Sequence, residues 1–316
     1  MNNSINPRIV KNDLCRFCDT RSRQENTKNG YCSIALSALD EYPVRCIGEW
    51  SQDKIYWLLR YFDIFSKGMK NKWFNKINYI EICSGPGRCV IRDNGLEIDG
   101  TALSILNHSA FNYIQKAVFI DHNEEVVNAL NSRIKNLDKS CKAKAYLGDY
   151  NNIAEIKKIL RNLPSRCLNL IFLDPTDCSI SFSLIKAINE VLISTDFIIN
   201  IALYTDLNRN LMRAFLDPRY EIAREKYSRF LGSDDFFLKQ KNKSLAEAGK
   251  LRDLRKHFLD NFKDNLVRLG FRYSDYPIPV RKYYTILFAS KHPTGLDFWK
   301  KATQIGPDGQ KILKLQ

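Results

Sequence analysis

The chain has 316 residues, of which 44% are hydrophobic, so it can bury a full core and is not expected to be disordered. Lys and Arg number 49 against 35 Asp and Glu, which gives a formal net charge of +14. This excess predicts a nucleic-acid partner, and scattered solvating charge is the alternative. Because the sequence has no apolar run of membrane-spanning length and no apolar signal-peptide core near its first residue, we expect a cytoplasmic protein without membrane contact.

Four of the nine cysteines lie in the first 50 residues, a polar and turn-rich stretch. Cys15 and Cys18 form a Cys-x2-Cys pair, and Cys32 and Cys46 follow. Four thiolates are ligands that tetrahedral zinc prefers. The stretch therefore predicts a small module with a structural zinc site, and free buried thiols or an iron–sulfur cluster are the alternatives.

After this module, an amphipathic helix is predicted over residues 53–74, and short β-branched or aromatic runs then alternate with helical stretches. This order predicts right-handed βαβ units, a mostly parallel sheet and helices on both faces. The predicted strands are Ile77–Cys83, Ala117–Asp121, Ala143–Leu147, Leu168–Asp174, Phe197–Leu203, Phe271–Tyr273 and Tyr283–Ser290. A charged insertion is expected at about 204–250, and a helix over 245–269. The predicted domains are the cysteine-rich module at 1–50, the α/β domain at 51–305 and a polar tail at 306–316.

Residues 79–87 read Tyr-Ile-Glu-Ile-Cys-Ser-Gly-Pro-Gly, a hydrophobic strand that runs into a glycine turn. Glycines without a Cβ atom let a nucleoside cofactor approach the backbone closely. An ordinary strand-to-helix turn is the alternative, since a single Gly-x-Gly is weak evidence. Residues 88–100 are interpreted as a polar loop, which explains the long spacing to the next acidic strand end at Asp121.

Three carboxylates end three successive predicted strands, at Asp121, Asp149 and Asp174. Ligands of open α/β sheets bind beyond the carboxyl ends of the strands. We expect Asp121 to accept hydrogen bonds from ribose hydroxyls, Asp149 to lie at the adenine end, and Asp174 to face the reacting group. A simple turn role is the alternative for Asp121, and for His122 beside it a loop role is favoured.

Several motifs along the chain occur together in one family. They are Cys15–Cys18, Gly30–Ser33, Pro43–Cys46, Gly48–Lys54, Tyr79–Arg88, Ile98–Leu103 and Tyr284–Lys291. In these motifs the chain resembles the three-Cys-motif partner (TcmP) proteins, which are similar to class I methyltransferases that use S-adenosylmethionine (SAM). The resemblance implies a Rossmann-like, seven-stranded sheet with an antiparallel last strand, matched by Tyr283–Ser290, and a radical-SAM-like protein partner.

The chain departs from this family after the fourth strand. Where relatives read Asp-Pro-Phe-Gly, this chain has Asp174-Pro175-Thr176-Asp177. It also lacks the second proline and the aromatic residue of the tetrad that amino-methylating nucleic-acid enzymes carry. Methylation of adenine or cytosine amino groups is therefore in doubt.

The leading hypothesis is a SAM-dependent methyltransferase that acts on a nucleic acid or a nucleic-acid-associated substrate. The alternatives are a catalytically silent SAM- or nucleotide-binding partner of a radical-SAM-like enzyme, and a non-enzymatic nucleic-acid-binding protein. The candidate cofactor-binding residues are Glu81, Cys83, Gly85, Pro86, Gly87, Asp121, His122, Asp149 and Tyr150. The candidate proton acceptors in catalysis are Asp174 and Asp177. The candidate zinc ligands are Cys15, Cys18, Cys32 and Cys46.

Overall fold

The computed structural model describes residues 35–92, 94–280 and 283–311, and for residues 276–278 it describes the backbone alone. The strands, in chain order, are β1 (Arg45–Ile47), β2 (Ile77–Ile82), β3 (Arg88–Ile91), β4 (Glu97–Asp99), β5 (Lys116–Asp121), β6 (Ala143–Leu147), β7 (Leu168–Leu173), β8 (Ser194–Ile201), β9 (Tyr273–Val280) and β10 (Tyr284–Ser290). The α-helices are α1 (Ser51–Met69), α2 (Thr101–Asn107), α3 (Glu124–Asn136), α4 (Ile153–Arg161), α5 (Phe182–Val191), α6 (Asn208–Leu216), α7 (Glu221–Leu231), α8 (Asp235–Leu238), α9 (Gln240–Glu247), α10 (Leu251–Arg268) and α11 (Pro293–Ala302).

The chain divides into two compact units, and the first runs to Gly148 and includes the described residues from Ala302 onwards. Its strands β6, β5 and β2 are neighbours in this order and pair in parallel. All of β2 is buried, and so is β5 after its first residue, as parallel strands covered on both faces require. Helix α3 connects β5 to β6 and buries one stripe, which includes Val126, Leu130 and Ile134.

The second unit runs from Asp149 to Lys301. Its strands β7 and β8 are parallel, and β10 lies between β8 and β9 and is antiparallel to both. The seven strands form one sheet in the order β6-β5-β2-β7-β8-β10-β9. The predicted α/β, Rossmann-like fold with a mostly parallel seven-stranded sheet and an antiparallel last strand is therefore confirmed. Strand β2 leads into the glycine turn, and α/β sheets bind ligands beyond the carboxyl ends of such strands.

Strand β9 contains Pro277 and Pro279, so the prediction of a short strand at Phe271–Tyr273 with both prolines beyond its end is wrong. Proline has no backbone N–H to donate to a neighbouring strand. It is tolerated here because β9 is the last strand of the sheet and, in the part of the chain that the structure describes, pairs only with β10.

The predicted polar loop at 88–100 is also wrong, because β3 and β4 form an antiparallel hairpin there. Strand β1 pairs in parallel with β3 and completes a small three-stranded sheet. These strands have three or four residues each, too few for an alternating pattern to be visible in the sequence. The prediction of one helix over residues 245–269 is wrong too. Gly249 has a φ of +70° and separates α9 from α10.

The described part of the predicted cysteine module, residues 35–50, belongs to the first unit. Ala35 and Val44 form a small apolar cluster with Val90 of β3, and Cys46 packs against it. Among the residues that the structure describes, no helix is both long and apolar enough to cross a membrane.

Candidate functional site

The glycine turn follows β2, and every second residue from Cys83 to Gly87 has a positive φ angle. Cys83, Gly85 and Gly87 have φ angles of +67°, +65° and +91°, a left-handed region that favours residues without a Cβ atom. The backbone N–H groups of Cys83 and Ser84 both donate to the carbonyl of Ile120 on β5, at 2.9 and 3.1 Å. The turn is therefore anchored on the neighbouring strand by hydrogen bonds of the protein's own backbone.

The two glycines have different roles. A Cβ on Gly87 would lie 2.9 Å from Leu130 Cδ1 and 3.0 Å from Leu103 Cγ, so this glycine allows close packing against α2 and α3. A Cβ on Gly85 would meet the Arg45 side chain at 3.7 Å and, within the described residues, no other neighbouring atom within 4 Å. The backbone at Gly85 is thus the part of the turn that a ligand can approach.

Asp121 lies at the end of β5 and is 9% exposed. Its Oδ2 accepts a hydrogen bond from the N–H of Gly85 at 3.0 Å, and its Oδ1 accepts one from the N–H of Asn123 at 3.2 Å. His122 is exposed, and its Nδ1 lies 3.4 Å from Asp121 Oδ1. The predicted ribose-binding carboxylate therefore also holds the glycine turn in place.

Glu81 and Pro86 support the turn from inside the first unit. The carboxylate of Glu81 is fully buried, and it accepts hydrogen bonds from Tyr79 Oη at 2.8 Å and from Thr101 Oγ1. The carbonyl of Pro86 accepts a hydrogen bond from Arg133 Nη1 at 2.6 Å. Both candidates therefore make hydrogen bonds within the protein that stabilise the surroundings of the turn.

Cys83 occupies a position where the backbone favours glycine, and its φ of +67° costs a residue with a Cβ atom about 1–2 kcal/mol. We expect Cys83→Gly to unfold with a free energy about 1 kcal/mol higher than Cys83→Ala. Both variants lose the thiol, so their difference isolates the backbone penalty. Urea denaturation measures it, and an alanine variant as stable as the glycine variant would contradict the assignment of strain.

The candidates at 149 and 150 open the second unit. Asp149 is exposed, and its Oδ1 accepts from the backbone N–H of Asn151 at 2.9 Å and from its Nδ2 at 3.0 Å. Tyr150 Oη lies 2.8 Å from Ser179 Oγ, within hydrogen-bond distance. Both residues lie just before α4, and their assignment to the adenine end of a cofactor stays a prediction.

The acidic turn after β7 carries the two candidate catalytic residues. Asp174 is 5% exposed, and its Oδ1 accepts a hydrogen bond from Asn200 Nδ2 at 2.9 Å. Asp177 is more open, and its Oδ2 lies 3.2 Å from Lys226 Nζ. Its Oδ1 accepts from the N–H of Ser179 at 3.1 Å. Asp177 is therefore an ion-paired carboxylate at the surface of the turn, whereas Asp174 is buried beneath it.

A buried polar cluster anchors this turn from α7 and the π-helical turn at Leu203–Leu207. We call it the Asp206 cluster: Asp206 Oδ2 lies 2.7 Å from Lys226 Nζ and accepts from the N–H of Cys178 at 2.9 Å. Its Oδ1 accepts from Tyr227 Oη at 2.9 Å. Local π-helical turns are frequent at functional sites, and this one places a carboxylate under the acidic turn.

The electrostatics of the Asp206 cluster follow from burial and from Lys226. Burial acts to raise the pKa of Asp206, but the hydrogen bond and charge of Lys226 and the N–H of Cys178 outweigh it, so this pKa is lowered. Burial likewise acts to lower the pKa of Lys226, but its two carboxylate partners raise it overall. For Cys178, burial and then the charge of Asp206 raise the pKa well above its usual value. This thiol is therefore neutral and not a nucleophile.

Of the candidate zinc ligands, Cys15, Cys18 and Cys32 lie outside the described residues. Cys46 is half-buried on β1 against the apolar cluster of Ala35, Val44 and Val90. Within residues 35–92, 94–280 and 283–311, no group of three or more His, Cys, Asp or Glu side chains is arranged to hold a metal ion. Zinc stays a prediction that depends on the three other cysteines.

The first unit fits a nucleoside cofactor on three observations. The backbone is open at Gly85, the Asp121 carboxylate is tied to the same turn, and Ser84 Oγ is buried without a hydrogen-bond partner among the described residues. A buried hydroxyl without a partner is costly, which indicates that a ligand or water completes it.

The sequence reasoning missed residues whose importance depends on distant contacts. Arg133 lies in α3 and bonds to the turn, and Asp206 and Lys226 were counted within a charged insertion. Arg45 and Thr101 do lie inside motifs that the resemblance singled out, which is the one signal that could have found them.

No family model matches the chain, and no curated protein matches it in sequence. Solved structures resemble it in fold. An O-methyltransferase from Bacillus cereus, in complex with S-adenosylhomocysteine (SAH), is 11% identical; the match covers 89% of this chain and 92% of that one, with a TM-score of 0.39. The SAH-bound methyltransferase PaMTH1 from Podospora anserina is 15% identical over 72% of this chain and 75% of that one, with a TM-score of 0.35. At these identities the likeness concerns the fold alone.

Proposed function

We propose that this protein is a SAM-dependent methyltransferase. The observation that carries the proposal is the glycine turn after β2, whose N–H at Gly85 is bonded to Asp121 at the end of β5. This joins an open backbone position to a carboxylate at the end of the adjacent parallel strand, the pair of features with which Rossmann-like sheets hold a nucleoside. The TcmP resemblance is part of the same proposal.

The residues of the chain have the following roles in this proposal. The open backbone at Gly85 and the hydroxyl of Ser84 contact the cofactor, and Asp121 binds the ribose hydroxyls. Asp149 contacts the adenine. When bound, SAM supplies an electrophilic methyl group on a sulfonium. Asp174 then orients the acceptor or accepts the proton that it loses, since alignment and proton removal are what methyl transfer asks of a protein.

The proposed acceptor is a nucleic acid or a nucleic-acid-associated molecule. The support for this is the net charge of +14, together with exposed cations such as Arg252 and Lys256 on α10. Phosphate contacts of this kind make binding strongly dependent on salt. Binding to DNA and RNA at several salt concentrations, followed by methyl transfer from labelled SAM to each polymer, tests the acceptor class.

Titration of the purified protein with SAM and SAH by calorimetry tests the cofactor. We expect saturable binding by the wild type, and binding weaker by on the order of 10- to 100-fold in Asp121→Ala, because hydrogen bonds to a charged group are lost. Asp63→Ala is the matched control, since Asp63 is a carboxylate on α1 that pairs with Lys67 at the surface. It should bind like the wild type.

Thermal unfolding of each variant separates loss of binding from loss of structure, because Asp121 also holds the glycine turn. Asp121→Asn keeps an acceptor oxygen for the N–H of Gly85. This variant should retain the fold but bind SAM and SAH more weakly than the wild type. A folded wild-type protein that binds neither SAM nor SAH would exclude the methyltransferase.

A second candidate is a SAM-binding partner protein without turnover, which docks a radical-SAM-like enzyme. It is favoured by the acidic turn, where Asp177 is ion-paired with Lys226 and Asp174 is bonded to Asn200, so neither carboxylate is an unengaged base. Retained SAM binding without methylation of any offered DNA, RNA or ribonucleoprotein would support this candidate over the enzyme.

A further inference from the structure

Arg45 lies beside Gly85, the glycine of the turn at which a Cβ would find room. Both its Cδ and its Nη1 lie 3.7 Å from the position that a Cβ on Gly85 would take. Arg45 is half-buried, so its charge is only partly screened by water. A ligand that approaches Gly85 therefore meets a guanidinium.

The segment that carries Arg45 is held firmly. Arg45 is the first residue of β1, and its Cα partner in the parallel ladder is Cys89 of β3. Arg133 on α3 donates to the carbonyl of Pro43 at 2.9 Å and, through the same Nη1 atom, to that of Pro86 at 2.6 Å. One buried side chain thus joins the segment before β1 to the glycine turn, so Arg45 and Gly85 are held in register.

A cation beside the turn offsets the negative charge that an anionic ligand group would meet there. The Asp121 carboxylate lies at the turn, and its Oδ2 already accepts a hydrogen bond from the N–H of Gly85. An anionic group on a ligand would be repelled here unless a cation faced it. An arginine fork pairs with a carboxylate through two parallel hydrogen bonds.

We propose that Arg45 binds the carboxylate of the methionine portion of SAM and SAH. This inference rests on the proposed function and adds the residue that recognises the amino-acid end of the cofactor. It gives the segment before α1 a binding role that does not depend on metal at the cysteines.

Calorimetric titration with two probes tests the inference: SAH, and 5′-methylthioadenosine, which keeps the adenosine and the sulfur but has no carboxylate. We expect Arg45→Gln to weaken SAH binding on the order of 10- to 100-fold, and to leave the affinity for 5′-methylthioadenosine unchanged. Arg45→Lys keeps the charge without the fork and should lie between. Arg161→Gln, at an exposed arginine of α4, is the matched control.

Each outcome decides the matter. Selective loss of SAH by Arg45→Gln, with an unchanged thermal transition, supports the inference. Equal SAH affinity in Arg45→Gln and the wild type overturns it and leaves the proposed function intact, as does a parallel loss of both probes. If the folded wild type binds neither probe, both the proposed function and this inference fail.

Discussion

We expect Arg133→Met to lower the free energy of unfolding by about 3–5 kcal/mol, the cost of breaking a buried ion pair by removing one partner. The Arg133 side chain is 2% exposed. It binds Asp40 through Nε at 2.8 Å and Nη2 at 2.7 Å, and donates to the carbonyls of Tyr42, Pro43 and Pro86. Methionine fills much of the space but leaves all these acceptors without the donor.

The same variant should change the pH dependence of stability. Burial acts to raise the pKa of Asp40, but the hydrogen bond and charge of Arg133 outweigh it and hold this pKa below the usual value of an aspartic acid. A carboxyl with a lowered folded-state pKa contributes stability above its unfolded pKa and loses that contribution as the pH falls through the folded value. The difference in the free energy of unfolding between the wild type and Arg133→Met should therefore become smaller below about pH 4.

Urea denaturation at pH 7 and at several acidic pH values measures both effects. Lys135→Met is the matched control, because Lys135 is exposed on the same helix two residues away, and it should change stability by less than about 0.5 kcal/mol. An Arg133→Met variant as stable as this control at pH 7 would show that the hydrogen bonds and ion pair of Arg133 contribute little to the free energy of unfolding.

Lys226→Met should be the second strongly destabilising change, by about 3 kcal/mol, at the lower end of the range for a broken buried ion pair. The variant leaves Asp206, whose side chain is 7% exposed, without its cation. The loss is smaller than at Arg133 because Cys178, Asn210 and Tyr227 still donate to the same carboxylate. The ion pair with Asp177 is lost as well.

Unfolding of a pair of variants tests this assignment. Asp206→Asn in the Lys226→Met background removes the unpaired charge and should recover part of the stability, whereas Arg229→Met on the exposed side of α7 should have little effect. If the double variant is no more stable than Lys226→Met, a buried unpaired charge is not the cause of the loss. The raised pKa of Lys226 further predicts that the contribution of this lysine to wild-type stability is fully present below about pH 10.5 and is lost as the pH rises further.

Four of the five parallel strands, β2, β5, β6 and β7, were predictable because each is a run of five or six residues rich in apolar side chains. The fifth, β8, begins three residues before and ends two residues before the predicted Phe197–Leu203. Ala143–Leu147 has the predicted bounds, and β2, β5 and β7 differ from theirs by one residue. The small sheet of β1, β3 and β4 was not predictable, since strands this short take their structure from the partner they find. The same holds for β9, where two prolines argue against a strand until its place at the edge of the sheet is known.

Local sequence by itself determined the glycine turn and the acids at the strand ends, because backbone freedom at Gly85 and the end of a buried strand at Asp121 are properties of adjacent residues. Tertiary structure alone decided what these residues contact. Asp121 is tied to the turn across 36 positions, Arg133 to Pro86 across 47, and Lys226 to Asp177 across 49. Hydrogen bonds and ion pairs between such distant positions depend on how strands and helices pack, and no periodicity in the chain records them.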